Sequence, residues 1–242
     1  MNIIICELVG TMLLVLLGDS ICMNLNLNKS GNKGGGPLMS CIGWGFAVMI
    51  PAFIFGRATG AHFNPAVTIA LAVRGVANGG ISWGVVPLYL IGEMLGGFVG
   101  AVLCTIMYYN HLEATPDNDV KRGCYCTSPS IRNTGLNLYS EIVDSFILMF
   151  AILGIGQTVA GDSALNYVFI WAIITGIGTA FGGVTGYSMN AARDLPPRIV
   201  FALFCPGENK DADWGYAWIP VVGPICGTVL AALVYAVLPF PA

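Results

Sequence analysis

Six stretches of this chain are apolar over the length that an α-helix needs to cross a lipid bilayer. A hydrocarbon core about 30 Å thick requires about 20 residues per helix. Only 10% of the 242 residues are charged and 56% are hydrophobic, which leaves too little polar surface for a water-soluble domain. The chain is therefore predicted to be an all-α integral membrane protein. The predicted spans are residues 3–24, 38–56, 84–108, 138–158, 165–183 and 216–239.

The same sequence excludes several classes of function. A net charge of −3 provides no basic surface, so no nucleic-acid partner is expected. Cys124 and Cys126 lie in a polar loop as a C-x-C pair, a poor spacing for zinc, and are interpreted as unliganded thiols. The two histidines, His62 and His111, belong to no hydrolase motif. We therefore expect no enzyme activity, no metal and no cofactor.

The two halves of the chain resemble each other at three places in the same order, with offsets of 134, 126 and 131 residues. A nearly constant offset indicates one duplicated unit. A single channel domain, 1–242, is predicted, with repeat one at 1–108, a connecting loop at 109–136 and repeat two at 137–242. The matching pairs are segment 6–9 with 140–143, segment 59–66 with 185–192, and Gly92 and Gly96 with Gly223 and Gly227.

Each repeat has three spans, so the second repeat must enter the membrane in the inverted orientation. Inverted repeats of this kind place their functional site near the bilayer midplane, where short broken helices meet. Two apolar stretches, near 65–73 and 191–204, are too short to span and occupy equivalent places in the two repeats. They are predicted to be re-entrant half-helices and to mark the site.

An asparagine stands at the start of each predicted half-helix, Asn64 before Pro65 and Asn190 before Ala191. Asparagine is a good N-cap. Inversion points the two N-termini at each other, and each carries roughly half a positive charge, which opposes a cation but not a neutral molecule. Two caps without a transport role are the alternative; their equivalent positions favour function.

The segments that lead into the half-helices are predicted to be non-helical and to line a water-filled cavity with their carbonyl groups. Carbonyl acceptors on one wall and apolar side chains on the other suit a polar solute with a hydrocarbon back. The predicted pore-lining carbonyls belong to Gly60, Ala61, His62, Gly186, Tyr187 and Ser188.

Over essentially its whole length the chain resembles the aquaporin and glycerol-facilitator (major intrinsic protein) family. The resemblance implies six helices plus two half-helices, a pore in every subunit and a homotetramer. The residues that carry it are Glu7 and Glu141, the segment from Thr59 to Asn64, Pro65 and Ala66, and the segment Met189, Asn190, Ala191, Ala192, Arg193 and Asp194.

The resemblance also implies a selectivity filter of four residues, which are Trp44, Gly178, Tyr187 and Arg193. Water-selective members usually carry histidine at the position of Gly178. Glycerol-conducting members resemble this chain, with aromatic residues at two filter positions and Asp194 directly after the arginine. An aromatic corner suits the carbon backbone of a polyol, and a guanidinium donates to two adjacent hydroxyls. The alternative for Arg193 is a salt bridge with Asp194 or Asp144.

Three positions depart from the family pattern. Ala191 replaces the usual proline, so the second half-helix is expected to form but to be softer. Pro196 adds a second proline beside Pro197, which is expected to loosen or kink that helix. Glu93 stands where many members have glutamine, and an ionisable group within a span is a functional hypothesis.

Glu7 and Glu141 are carboxylates at matched places within the spans. By resemblance they bond to the backbone of the re-entrant loops, and proton-coupled transport is the alternative. His62 lies two residues before Asn64. It is interpreted as a fixed hydrogen-bonding partner in the pore wall, with a pH gate as the alternative.

The predicted function is a passive channel for glycerol and related small neutral polyols that also passes water and excludes ions and protons. The alternatives are a water-selective pore, which Gly178 disfavours, and a proton-coupled secondary transporter dependent on Glu93 or Glu7. The expected location is a bacterial inner or plasma membrane, with the lipid bilayer as partner. Both termini are expected to be cytoplasmic by resemblance, although most lysine and arginine residues then face outward, against the positive-inside rule.

Overall fold

The computed structural model describes residues 2–156 and 164–239, and the regular structure in these residues is helical throughout. Ten α-helices follow one another in the described ranges, with 3-10 turns at Val76–Asn78 and Trp83–Val85. The helices are α1 (Ile3–Asn26), α2 (Pro37–Thr59), α3 (Pro65–Arg74), α4 (Val86–Met107), α5 (Tyr109–Glu113), α6 (Asn118–Tyr125), α7 (Thr134–Ile155), α8 (Leu165–Thr185), α9 (Ala191–Phe204) and α10 (Ile219–Ala236).

Six of these helices, α1, α2, α4, α7, α8 and α10, are long and apolar enough to cross a membrane. The predicted all-α fold with six spans is confirmed. Helix α2 runs three residues past its predicted end and stops at Gly60, whose φ of 86° closes the helix in the left-handed conformation. The last two residues of the predicted fourth span, 157 and 158, lie outside the described residues, as do residues 1 and 240–242 of the predicted domain.

The two short helices α3 and α9 each pack against a span of the opposite repeat. Helix α3 contacts α10, and α9 contacts α4, while α1 packs on α4 and α7 packs on α10. Glycine makes the last two contacts close: a Cβ added at Gly96 would lie 2.3 Å from Leu8 O, and one at Gly227 would lie 2.2 Å from Ile142 O. These four contacts therefore form two equivalent pairs, one member of each pair in each half of the molecule.

The connection between the repeats is partly helical, because it contains α5 and α6. Cys124 and Cys126, which the sequence places in a polar loop, are buried there as free thiols. Burial raises the pKa of both thiols, which disfavours the thiolate that binds metal. In the ranges that the structure describes, no group of three or more His, Cys, Asp or Glu residues could hold a metal ion.

Candidate functional site: a central pore

Asn64 and Asn190 begin the two half-helices with the same geometry. Asn64 has φ −156° and ψ 113°, and its Oδ1 accepts from Ala66 N at 2.9 Å. Asn190 has φ −155° and ψ 111°, and its Oδ1 accepts from Ala192 N at 2.9 Å. Helix α9 thus starts at Ala191 with the same cap that precedes the proline of α3, because the side-chain cap does not require proline at the next position.

The two asparagines also join the re-entrant loops to each other. Asn64 Nδ2 donates to Met189 O at 2.8 Å, and Asn190 Nδ2 donates to Phe63 O at 2.7 Å. Each amide group has two N–H donors. One N–H of each asparagine therefore remains free of a partner in the described part of the chain, beside the cavity that both residues line.

The loops before the half-helices hold their carbonyl groups in an unusual backbone conformation. Each loop begins with a left-handed glycine, Gly60 or Gly186, and continues with non-glycine residues that also have positive φ. Such residues cost about 1–3 kcal/mol each and persist only where surrounding contacts fix them. The non-glycine residues are Ala61 at 53°, Phe63 at 50°, Tyr187 at 40° and Met189 at 53°.

Glu7 supplies these fixing contacts in the first repeat. Its Oε1 accepts from Thr59 Oγ1 at 2.5 Å and from His62 N at 3.4 Å, and its Oε2 accepts from Phe63 N at 2.8 Å. The carboxylate is fully buried, and a buried carboxylate that accepts several N–H bonds is held firmly. One side chain of α1 therefore sets the conformation of the loop that enters α3.

Glu141 makes the equivalent contacts in the second repeat. Its Oε1 accepts from Thr185 Oγ1 at 2.7 Å and from Ser188 N at 3.1 Å, and its Oε2 accepts from Met189 N at 3.1 Å. The sequence comparison paired the two acids but did not single out the two threonines. Their matched places in the aligned segments were the signal that could have identified them.

A cavity of about 140 Å³ passes between the two half-helices. Its polar wall includes the two asparagines and the loops, and its opposite wall is aliphatic. A second, wider cavity opens from it toward the connecting segment. The first cavity is lined by Gly60, Ala61, His62, Asn64, Ser188, Met189 and Asn190 on the polar side and by Val48, Val67, Leu71, Leu148, Ile152, Ile170 and Ile174 on the apolar side.

Trp44, Tyr187 and Arg193 line both cavities and therefore stand at the junction between them. The Arg193 guanidinium carbon lies 4.1 Å from the centre of a Trp44 ring, a close cation–π contact. The nearest anionic atom among the described residues is Asp194 Oδ2 at 3.9 Å, too far for a hydrogen bond. The donors of Arg193 thus stay available to a molecule in the pore.

The Trp44 ring is fixed on its outer side by helix α1. A Cβ at Gly18 would lie 2.1 Å from Trp44 Cζ3, so only glycine allows the ring to pack there. Trp44 Nε1 donates to Cys22 Sγ at 3.3 Å. The sequence pattern did not identify Gly18 or Cys22, because their contact depends on how α1 and α2 cross.

Gly178 lies behind the Tyr187 ring and lines the second, wider cavity but not the first. A Cβ at Gly178 would lie 2.7 Å from Tyr187 Cζ, and one at Gly182 would lie 2.9 Å from Tyr187 Cδ1. The sequence predicts that Gly178 leaves room in the pore, and the structure fills that room with the Tyr187 ring. The Tyr187 hydroxyl has no hydrogen-bonded oxygen or nitrogen in the described ranges and lies beside the Cys41 thiol.

Asp194 holds the first turn of α9 in place and is fully buried. Its Oδ1 accepts from Arg198 Nη2 at 2.8 Å and Nε at 3.0 Å. Its Oδ2 accepts from Thr127 N at 2.7 Å and Oγ1 at 2.6 Å. The acid thus ties α9 to the connecting segment and is not the hydrogen-bonding partner of Arg193.

Helix α9 is uninterrupted from Ala191 to Phe204 despite Pro196 and Pro197. Proline at position 196 has no N–H for the Ala192 carbonyl. That carbonyl faces Gly97 of α4, where an added Cβ would lie 2.1 Å from Ala192 O. In α3 the equivalent carbonyl, of Ala66, accepts from Thr228 Oγ1 at 2.9 Å. The carbonyl that Pro196 leaves without its helical donor therefore lies in a close contact between α9 and α4.

Comparison with known proteins agrees with this architecture. The family model described as "Major intrinsic protein" matches residues 1–235. The chain is 40% identical over 235 residues to the probable glycerol uptake facilitator protein of Thermotoga maritima, covering 97% of this chain and 98% of the relative. It is 40% identical over 230 residues to the glycerol uptake facilitator protein of Bacillus subtilis, covering 95% and 82%.

The fold is similar to the X-ray structure of the aquaglyceroporin from Plasmodium falciparum. The TM-score is 0.86 at 27% sequence identity, and the match covers 98% of this chain and 96% of the other. Paired half-helices capped by asparagine, six spans and a family match along almost the whole sequence lead to one conclusion. This multi-pass membrane protein belongs to the major intrinsic protein family.

Proposed function

We propose that this protein is a passive channel for glycerol and related small neutral polyols, and that it also conducts water. The observation that carries the proposal is the junction of Trp44, Tyr187 and Arg193 between the two cavities. It combines two aromatic rings with a guanidinium whose donors are free to bind a solute. The relatives named glycerol uptake facilitators support this solute class.

In the proposed filter, a polyol passes with its carbon backbone against the two rings and its hydroxyls toward Arg193. Two adjacent hydroxyls match the forked donors of a guanidinium. Below the filter, the carbonyls of the loops accept from the hydroxyls while aliphatic side chains face the carbon atoms. Selection then depends on size and hydrogen-bond matching, with no chemical step.

Cations are excluded in this proposal by fixed positive charge. The N-termini of α3 and α9 meet where Asn64 and Asn190 lie, and each helix contributes roughly half a positive charge there. Arg193 adds a full charge at the junction. A neutral polyol loses little at either place, because it exchanges hydrogen bonds with water for hydrogen bonds with the asparagine amides and the loops.

Two other functions are less well supported. A water-selective pore needs a narrow junction, and glycine at position 178 adds no side chain to narrow it. The space beside that glycine is occupied by the Tyr187 ring. A proton-coupled transporter needs acids free to exchange protons with the pore. Glu7 accepts three hydrogen bonds from its loop and does not line the cavity, which favours a supporting role.

We further propose a homotetramer in a bacterial inner or plasma membrane with both termini in the cytoplasm. The named relatives come from two bacteria, which supports a bacterial membrane as the location. Several basic residues that would face outward are structural: Lys121 Nζ donates to Pro206 O at 2.8 Å, and Arg198 binds Asp194. Such residues are needed for folding on the outward side of the membrane. This accounts for part of the excess of lysine and arginine there, which runs against the positive-inside rule.

The test is stopped-flow light scattering on proteoliposomes, first with a glycerol gradient and then with an impermeant osmolyte. We expect fast re-swelling in glycerol, linear in its concentration and independent of a proton gradient. Fast water flow without glycerol entry would favour the water-selective pore. Saturable flux driven by a proton gradient would favour the transporter.

A further inference from the structure

His62 in the pore wall is connected to the buried acid Glu93 by one side chain. Thr68 Oγ1 lies 2.8 Å from His62 Nδ1 and 2.6 Å from Glu93 Oε1. Both Thr68 and Glu93 are fully buried, and Glu93 Oε2 has no hydrogen-bond partner in the described part of the chain. The three residues come from the first loop, from α3 and from α4 respectively.

The hydroxyl of Thr68 makes this chain directional. A hydroxyl has one proton, so it can donate to one neighbour and must accept from the other. If Glu93 is ionised, Thr68 donates to it and His62 Nδ1 must carry a hydrogen. If Glu93 is protonated, its O–H donates to Thr68, the acceptor within hydrogen-bonding distance among the described residues, and Thr68 then donates to an unprotonated His62 Nδ1.

The protonation of His62 Nδ1, which faces Thr68, determines the protonation of Nε2 on the other side of the ring. In a neutral imidazole one ring nitrogen donates and the other accepts. The ring lines the cavity and stacks on Tyr89, with ring centroids 4.3 Å apart and an interplanar angle of 20°. Tyr89 is itself anchored, because its hydroxyl donates to Thr59 O at 2.7 Å. Stacking holds the ring in place. A change in the hydrogen bonds that connect Glu93, Thr68 and His62 therefore alters the tautomer of the His62 ring.

We propose, on the basis of the proposed channel function, that Glu93 and Thr68 determine the tautomer of His62. The proton on Glu93 thereby decides whether His62 Nε2 offers the pore a hydrogen-bond acceptor or a donor. Glu93 is a positioning residue in this account, since it reaches the solute only through two other side chains. The pore wall gains a contact whose polarity depends on pH.

Few other charged groups among the described residues act on Glu93. Glu7 of α1 is the acidic neighbour, and its oxygens are occupied by the loop. In the described part of the chain, His62 and Tyr89 are the other titratable neighbours. Helix α9, which also packs on α4, carries Arg193 at the filter and the bonded pair of Asp194 and Arg198. Helix α3 faces Glu93 with the hydroxyl of Thr68.

The test uses the small number of histidines. The chain has two histidines. His111 lies on α5, away from the pore, and bonds to Asn28 O. The variant His111→Gln therefore leaves the resonances of one histidine. The protein labelled with 15N is reconstituted in lipid, and one-bond N–H couplings of His62 are recorded across pH. We expect the hydrogen to be on Nδ1 at high pH and on Nε2 at low pH. One tautomer throughout would overturn the proposal.

Two variants in the same background isolate the relay. In Glu93→Gln the side chain does not titrate, so we expect a single tautomer of His62 at every pH. Thr68→Val removes the connection and should abolish the pH response, whereas Thr68→Ser should keep it. A response in Glu93→Gln or Thr68→Val equal to that of the parent would also overturn the proposal. These spectra involve no transport, so they stand apart from the test of the channel function.

Discussion

Asn64 and Asn190 each donate a side-chain N–H to the carbonyl that directly precedes the other asparagine, at 2.8 and 2.7 Å. Each side chain also caps its own half-helix. One residue type therefore fulfils two tasks, because an amide both accepts and donates. The pair brings the two helix N-termini together at the centre of the pore, where their dipoles oppose cations.

Asn190→Asp separates these two tasks. Aspartate caps helices as well as asparagine does, but it cannot donate to Phe63 O, and it adds negative charge where the helices supply positive charge. We expect glycerol flux to fall and a cation leak to appear in liposomes that contain a pH-sensitive dye.

The matched control is Asn133→Asp, because the exposed Asn133 caps α7 through Leu136 N outside the pore. An equal leak in both variants, or none in Asn190→Asp, would contradict the role proposed for the asparagine pair.

Gly178→Ala tests the filter wall. The new Cβ would lie 2.7 Å from Tyr187 Cζ, and α8 blocks the ring on that side, so the ring must move into the cavity that it lines. We expect glycerol flux to fall by about tenfold, equivalent to ~1.4 kcal/mol, with a smaller loss of water flux. Stopped-flow traces for both gradients provide the comparison.

Gly176→Ala on the same helix is the control, because nothing lies within 4 Å of its added Cβ. It should retain both fluxes. If Gly178→Ala does so too, the ring does not limit the pore.

The parts of this molecule that sequence predicts best are those set by length and local pattern. Hydrophobic runs predicted the six spans, and the capping preference of asparagine predicted where α3 and α9 begin. Residues 109–136 were expected to form a connecting loop, but they contain α5, α6 and two buried cysteines. Short polar helices such as α6 lack the apolar length that identified the spans.

Contacts between distant elements were harder to predict. Gly18 looks like any other glycine of a membrane helix, yet it is where the Trp44 ring packs. The relay from His62 to Glu93 needs three elements to meet within hydrogen-bonding distance. Asp19, fully buried and close enough to Arg193 to interact with its charge, has neither oxygen hydrogen-bonded within the described ranges and gave no sequence signal either.

Glu7→Gln and Glu141→Gln should destabilise the two loops by similar amounts. Glutamine keeps one acceptor oxygen, so the backbone N–H of Phe63 or Met189 would face an amide donor instead of a carboxylate. An unsatisfied buried donor costs about 1–3 kcal/mol. Thermal unfolding in detergent should show lower midpoints for both variants and little change for the exposed control Glu113→Gln. Unequal losses would argue against equivalent roles.

Arg193→Lys tests whether the filter needs a planar guanidinium or only a positive charge. The guanidinium lies 4.1 Å from a Trp44 ring centre, and its donors have no hydrogen-bond partner among the described residues, whereas lysine is a flexible point charge that cannot form the same fork. We expect lower glycerol flux with cations still excluded, while Arg193→Ala should weaken cation exclusion as well. Arg132→Lys is the control, since Arg132 also lies over a ring, Tyr216 at 5.2 Å, but outside the cavities. If Arg193→Lys conducts glycerol as the parent does, charge alone suffices at the junction and the proposed matching of two hydroxyls is wrong.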